Sequence, residues 1–223
     1  MLLLASVAMM LAVIKLARKK TLTQDLYSVE ALSRIDTLCL DKTGTLTDGT
    51  MTVEKVLYFN KDLQLSGIIS SYLSAFDTEN QTSTALINKF GKEQILNIKR
   101  TLPFSSERKF SAVEFEKHGT YILGAPEFIT SDEKLLEQVE DYTCNGLRVI
   151  MLAKTSQPID KLQKIKIENR RVMAMFILRD NIRKNVADTI KWFNENDVDI
   201  RVISGDNVKT VSYIAKQCGI KNA

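Results

Sequence analysis

The chain has 223 residues, enough for one or two domains around a sizeable core. Its 31 basic and 27 acidic side chains leave a formal charge of +4 with no basic stripe, which excludes nucleic acid as a partner. Cys39, Cys144 and Cys218 share no metal-ligand spacing and are expected as reduced, buried thiols.

The amino terminus is apolar and uncharged from Met1 to Ile14, and Lys15, Arg18, Lys19 and Lys20 follow. About 20 apolar residues are needed to cross a bilayer, so this run is too short to span one alone. A secretory signal carries its charge ahead of the apolar stretch, the reverse of the order here. The pattern fits the inner end of a transmembrane helix under the positive-inside rule, with most of the chain on the cytoplasmic side. A buried helix of a soluble protein is the alternative. Residues 23–33 then predict an amphipathic helix, with Leu26, Val29 and Leu32 on one face.

The run Ile35-Asp36-Thr37-Leu38-Cys39-Leu40 predicts a buried strand of a parallel sheet, and Asp41-Lys42-Thr43-Gly44-Thr45-Leu46-Thr47 follows directly. An aspartate leaving the carboxyl end of such a strand stands in the crevice where open α/β sheets bind ligands. There a carboxylate can attack phosphorus and hold a phosphoryl group as an acyl phosphate. Gly44 permits a sharp turn, and threonine hydroxyls with nearby amides can hold phosphate oxygens. The seven residues resemble the phosphorylation motif of the P-type ATPases, the ion and lipid pumps, at every position. That resemblance implies a catalytic loop of Asp41, Lys42 and Thr43, an aspartyl phosphate drawn from ATP, and Mg2+ held at Asp41 and Thr43. Related phosphatases of the haloacid dehalogenase type carry a second aspartate, as general acid and base, where this chain has Thr43. A threonine is a poor proton acceptor near neutral pH, so the acyl phosphate should hydrolyse slowly. A pump needs that delay, and a phosphatase gains nothing from it.

Asp48-Gly49 marks a turn, and Met51, Val53 and Val56 alternate as an exit strand. Further on, Phe110 to Phe115 and Thr120 to Leu123 read as strands joined through Lys117-His118-Gly119. Ser131 is expected to start a helix with Leu135, Leu136, Val139 and Tyr142 on one face and Gly146 near its end. Leu147 to Ala153 and Arg171 to Leu178 supply two more strands. This block is too mixed for a single crossover and reads as an inserted α+β domain. Asp180-Asn181-Ile182-Arg183 is expected to cap the helix carrying Val186, Ile190 and Phe193. His118 reads as a solvated turn residue and Trp192 as a half-buried helix residue.

Within the insertion, Phe104 offers an aromatic face for stacking, and Arg108 and Lys109 offer cations for phosphates. A strand start with a core phenylalanine and solvated charges is the alternative. The stretch from Leu102 to Phe110 resembles the Phe-Ser-x-x-x-Arg-Lys segment of the pumps' nucleotide domain, which implies Phe104 under adenine and Lys109 nearby. Gly124-Ala125-Pro126-Glu127 resembles their Lys-Gly-Ala-Pro-Glu motif, and Gly146-Leu147-Arg148 their Gly-Leu-Arg motif, implying cofactor roles for Gly124 and Arg148. Asp180 and Arg183 match the ends of the Asp-Pro-Pro-Arg hinge, which adds both to the cofactor-binding set. Leu123 stands in place of the motif's lysine, and Ser83 where many members carry a glutamate, so weak nucleotide affinity is expected.

Val198 to Ile203 predicts a last strand, ending in Ser204-Gly205-Asp206-Asn207. A serine and glycine at a strand end can offer hydroxyl and amide donors to phosphate, with the next helix dipole behind them. A plain strand-to-helix turn is the alternative. The tetrapeptide resembles the pumps' Thr-Gly-Asp-Asn motif, which implies catalytic roles for Ser204, Gly205 and Asp206.

The expected fold is α/β. A dehalogenase-like (Rossmann-type) phosphorylation domain, incomplete, carries an inserted nucleotide-binding domain and a partial transmembrane helix. Expected boundaries are 1–22 for the membrane helix, 23–53 and 177–223 for the phosphorylation domain, and 54–176 for the insertion. The resemblance implies a piece of an ATP-driven cation pump of the plasma membrane, calcium- or magnesium-type, using ATP and Mg2+. Its partners would be membrane lipid, the transported cation and the remaining pump domains. The family's phosphate-holding lysine and its Gly-Asp-Gly-x-Asn-Asp magnesium loop lie later in those proteins and no such loop occurs here. The chain alone is therefore expected to be inactive. A soluble dehalogenase-like phosphatase and a non-enzymatic nucleotide-binding partner fragment are the alternatives.

Overall fold

The computed structural model describes residues 2–59, 64–77, 80–162, 170–205 and 208–221. Helix α1 (Leu2–Arg18) holds the apolar amino terminus and is followed by the short α2 (Tyr27–Leu32). Among the described residues no helix is long and apolar enough to cross a membrane. The second helix is shorter than its pattern predicts and buries no residue, with Leu26 and Leu32 left exposed.

Strands β1 (Thr37–Asp41) and β8 (Asp199–Ile203) form a parallel pair, the open α/β part of the fold. Leu40 and Val202 pack with Ile200 against Ile190 and Phe193 of α7 (Val186–Glu195) and Ile214 and Ala215 of α8 (Val208–Gln217). The expectation of a fully buried strand is corrected. Thr37, Cys39 and Asp41 are exposed, because β1 has one neighbouring strand and one covered face among the described residues. For the same reason Cys39 is exposed, whereas Cys144 is half-buried and Cys218 buried. Trp192, expected half-buried, is 57% exposed on α7.

The second sheet has six antiparallel strands in the order β2-β7-β6-β5-β4-β3. They are β2 (Thr47–Tyr58), β3 (Ile98–Leu102), β4 (Phe110–Phe115), β5 (Gly119–Gly124), β6 (Arg148–Thr155) and β7 (Arg170–Ile182). Alternation along β7 serves two cores: Ala174, Phe176 and Leu178 face one, Met175 and Ile177 the other. The first core is closed by α3 (Leu65–Ser74) and α4 (Gln81–Phe90). The second is closed by α5 (Pro126–Ile129) and α6 (Glu133–Cys144), through Ile129, Leu135, Val139 and Tyr142. The cap of α6 is Asp132, whose side chain accepts from the Lys134 amide, one residue beyond the expected Ser131.

The two parts are joined by β2 and β7, which pair from Thr47↔Ile182 to Tyr58↔Ala174. Register shifts interrupt this ribbon between Thr47 and Met51 and between Val53 and Lys55. Asp180-Asn181-Ile182 belongs to β7 and does not cap α7, whose cap position is Asn185. Pairing with β2 carries the strand through these polar residues to Ile182, which stands opposite Thr47.

Candidate active site

Asp41 is the last residue of β1 and stands opposite Ile203, the last residue of β8. Both strands therefore deliver their carboxyl ends to one edge, and Ser204 leaves β8 beside Asp41. The structure brings Asp41, Ser204 and Gly205 together at this edge. Asp206 and Asn207 lie outside the described residues.

After Asp41 the backbone folds through Thr43 (φ −80°, ψ 122°) and Gly44 (φ 78°, ψ −7°), the dihedrals of a type II turn. The positive φ is what makes glycine necessary at position 44. Thr47 closes the loop: its buried hydroxyl accepts from the Gly44 amide at 3.2 Å and donates to the Lys42 carbonyl at 3.4 Å. Arg183 clamps it from outside, donating to the carbonyls of Gly44 at 2.7 Å and Thr47 at 3.1 Å.

Lys42 turns away from the loop's exposed side. Its side chain is 1% exposed and its ammonium meets the Asp180 carboxylate at 2.5 Å. The resemblance assigns Asp180 and Arg183 to cofactor binding, but both side chains are engaged with the loop that follows Asp41. Beyond them, Asn181 donates to the Thr50 hydroxyl at 2.8 Å, and Thr50 donates to Asp48 at 2.6 Å. The Thr50 hydroxyl bond, with the Thr50 amide, holds the Asp48 carboxyl below its ordinary value. Sequence reasoning missed this network at the first register shift. Its one visible signal is the Asp-Gly pair.

The nucleotide-site candidates share one end of the six-stranded sheet. Lys109 precedes β4, Gly124 ends β5 opposite Phe110, and Arg148 begins β6 opposite Leu178. Phe104 lies in the link from β3 to β4 and is 56% exposed, as a stacking platform requires. The same end of β7 continues through Asp180 toward Asp41. Gly124 has a steric task of its own: a Cβ there would lie 2.6 Å from the Lys109 carbonyl and 2.8 Å from the Phe110 Cα. Lys109 is itself in the left-handed region, at φ 59°, and its carbonyl accepts from the Ala125 amide. Leu123 packs partly buried against the α3–α4 core. Ser83 completes the capping box of α4 with Asn80. Both departures from the pump pattern thus serve folding.

The donors near Asp41 fit one class of metal. Among the described residues no three His, Cys, Asp or Glu side chains gather into a cage. An exposed carboxylate beside the peptide carbonyls of a turn suits Mg2+, which keeps several waters and leans on one or two carboxylates plus a phosphate.

The profile of the haloacid dehalogenase-like hydrolases matches residues 35–223. The chain belongs to this family. Among its relatives, a probable cation-transporting ATPase of Streptococcus pneumoniae is 38% identical over 97% of the chain, which covers 28% of that protein. The calcium-transporting ATPase CtpE of Mycobacterium tuberculosis is 29% identical over 98% of the chain, again across 28% of its own length. This dehalogenase-like chain thus spans just over a quarter of these curated relatives. A crystal structure of a zinc-transporting PIB-type ATPase in its E2.Pi state shares the fold. The TM-score is 0.65 at 19% identity, over 97% of this chain and 33% of that one.

Proposed function

We propose that this chain is the catalytic segment of a cation-transporting P-type ATPase, with Asp41 as its phosphoryl acceptor. The observation that carries the reading is the pairing of Asp41 with Ile203, one residue before Ser204, at the carboxyl edge of a parallel pair. In the reaction a carboxylate oxygen of Asp41 bonds to the γ-phosphorus of ATP as the bond to the bridging oxygen breaks and ADP leaves. Ser204 and Gly205 offer donors to the transferred phosphoryl oxygens. Lys42 is a positioning residue, fixing the loop through Asp180. Asp41 and the Thr43 carbonyl would hold Mg2+, which when bound offsets charge on the transferring oxygens. Thr43 leaves the acyl phosphate without an adjacent base, so it persists.

The inserted domain, 54–176, brings ATP through Phe104, Lys109 and Arg148, and 23–53 with 177–223 form the phosphorylation domain. Helix α1 with its trailing basic cluster is the inner end of a membrane helix, which puts the rest on the cytoplasmic face. The cargo is a cation, and calcium is favoured by the relatives named as calcium-transporting ATPases.

Titrating ATP into the 15N-labelled chain tests the donor site. Amide shifts clustering at Phe104, Lys109 and Arg148, abolished by Phe104→Ala, are expected at weak affinity. No shift at those residues at millimolar ATP would contradict the assignment.

A further inference from the structure

The β2–β7 ribbon is the covalent link between the two domains, and its register shifts make it bendable. A second link exists that the site does not use. Helix α6 of the insertion lies against α8, the helix that follows Ser204 and Gly205. Lys209 pairs with Glu140 at 2.6 Å, and the Thr210 hydroxyl donates to the Thr143 carbonyl at 3.2 Å. One turn further, Gly146 (φ 74°) packs so closely on Tyr213 that a Cβ would sit 2.4 Å from the ring.

We infer that α6 and α8 form a breakable latch, which sets how the inserted domain sits on the phosphorylation domain. Its ion pair is exposed, with side chains of Glu140 and Lys209 66% and 55% accessible, while the Thr210–Thr143 hydrogen bond is part-buried. Exposed pairs are weak and screened by salt, each shifting an equilibrium about two- to fivefold. Weakness suits a contact that must open and close. The partner surfaces are also placed for coupling. Gly146 immediately precedes Leu147 and Arg148, and α8 begins three residues after Gly205. Movement of the nucleotide-side loop is therefore transmitted to the phosphate-side helix without passing through the ribbon. The latch goes beyond the pump reading and does not depend on Asp41 being phosphorylated.

Residual dipolar couplings of the 223-residue chain test it, since they report the relative orientation of the two sheets. At low salt both domains should share one alignment tensor. Glu140→Lys and Lys209→Glu should each make the two domains' tensors diverge, to the extent of about a two- to fivefold shift toward the open state, and the double reversal should restore a common tensor. Neither exposed substitution removes a core contact, so folding is preserved. Gly146→Ala should split the tensor whatever the charges. Single reversals that keep a common tensor, or two independent tensors in the unmutated chain, would overturn the latch.

Discussion

Lys42 and Asp180 lie 138 positions apart in the chain and 2.5 Å apart in space, with the lysine almost wholly buried. This pair ties the residue after Asp41 to the strand that returns from the inserted domain. Burial of an ion pair gives little net stability by itself, because both charges lose water. Removing one partner is different, since the other charge then loses the contact that offsets its burial. Asp180→Ala should cost about 3–5 kcal/mol in urea unfolding, and Lys42→Met should cost less. A loss below about 1 kcal/mol for Asp180→Ala would mean that the pair is open to solvent.

Gly44 and Gly124 should respond to alanine for opposite reasons. At Gly44 nothing lies within 4 Å of the added methyl, so only the left-handed backbone resists it. The expected cost is about 1–2 kcal/mol, with the fold intact.

At Gly124 the methyl meets the backbone of Lys109 and Phe110. Overpacking against backbone costs about 1–3 kcal/mol and sometimes more. It should also speed amide exchange at Ala125, which donates to the Lys109 carbonyl. Unchanged exchange there would contradict the close approach of β4 and β5.

Glu114 supplies an acid-side prediction. Its hydrogen bond from Lys99, at 2.6 Å, is the main cause that holds its carboxyl below the ordinary 4.5, against the opposing effect of burial. A depressed folded-state value stabilises the protein above the ordinary value and is lost as pH falls through the folded one. The chain should therefore lose stability as pH drops below about 4.5, and Glu114→Gln should flatten part of that slope. An identical slope in Glu114→Gln would remove Glu114 from the account.

The strongly patterned elements were legible in the sequence. β4, β5 and β6 are short stretches rich in apolar and β-branched residues and largely buried on both faces, and Lys117-His118-Gly119 turns where expected. Helices α3 and α4 were not foreseen. Ser70 and Ser71 are polar by sequence yet buried, because their hydroxyls accept from the amides of Glu93, Ile95 and Leu96. A serine satisfied by a distant backbone looks like a surface residue until the fold is known. The site divides the same way. Asp41, Gly44 and Ser204 could be read from strand-end chemistry. The commitment of Lys42, Asp180 and Arg183 to one loop could not, because it depends on long-range pairing of β2 with β7.

The central claim is that Asp41 accepts and keeps a phosphoryl group. The most direct measurement places residues 35–223 of this chain in the Streptococcus pneumoniae ATPase, in place of its own matching segment. Membranes are given γ-labelled ATP with Mg2+, quenched in acid and reduced with borohydride, which converts an aspartyl phosphate to homoserine. The account predicts acid-stable label, homoserine at position 41 by mass spectrometry, and loss of both in Asp41→Asn. Label that survives Asp41→Asn, or homoserine at another position, would contradict it.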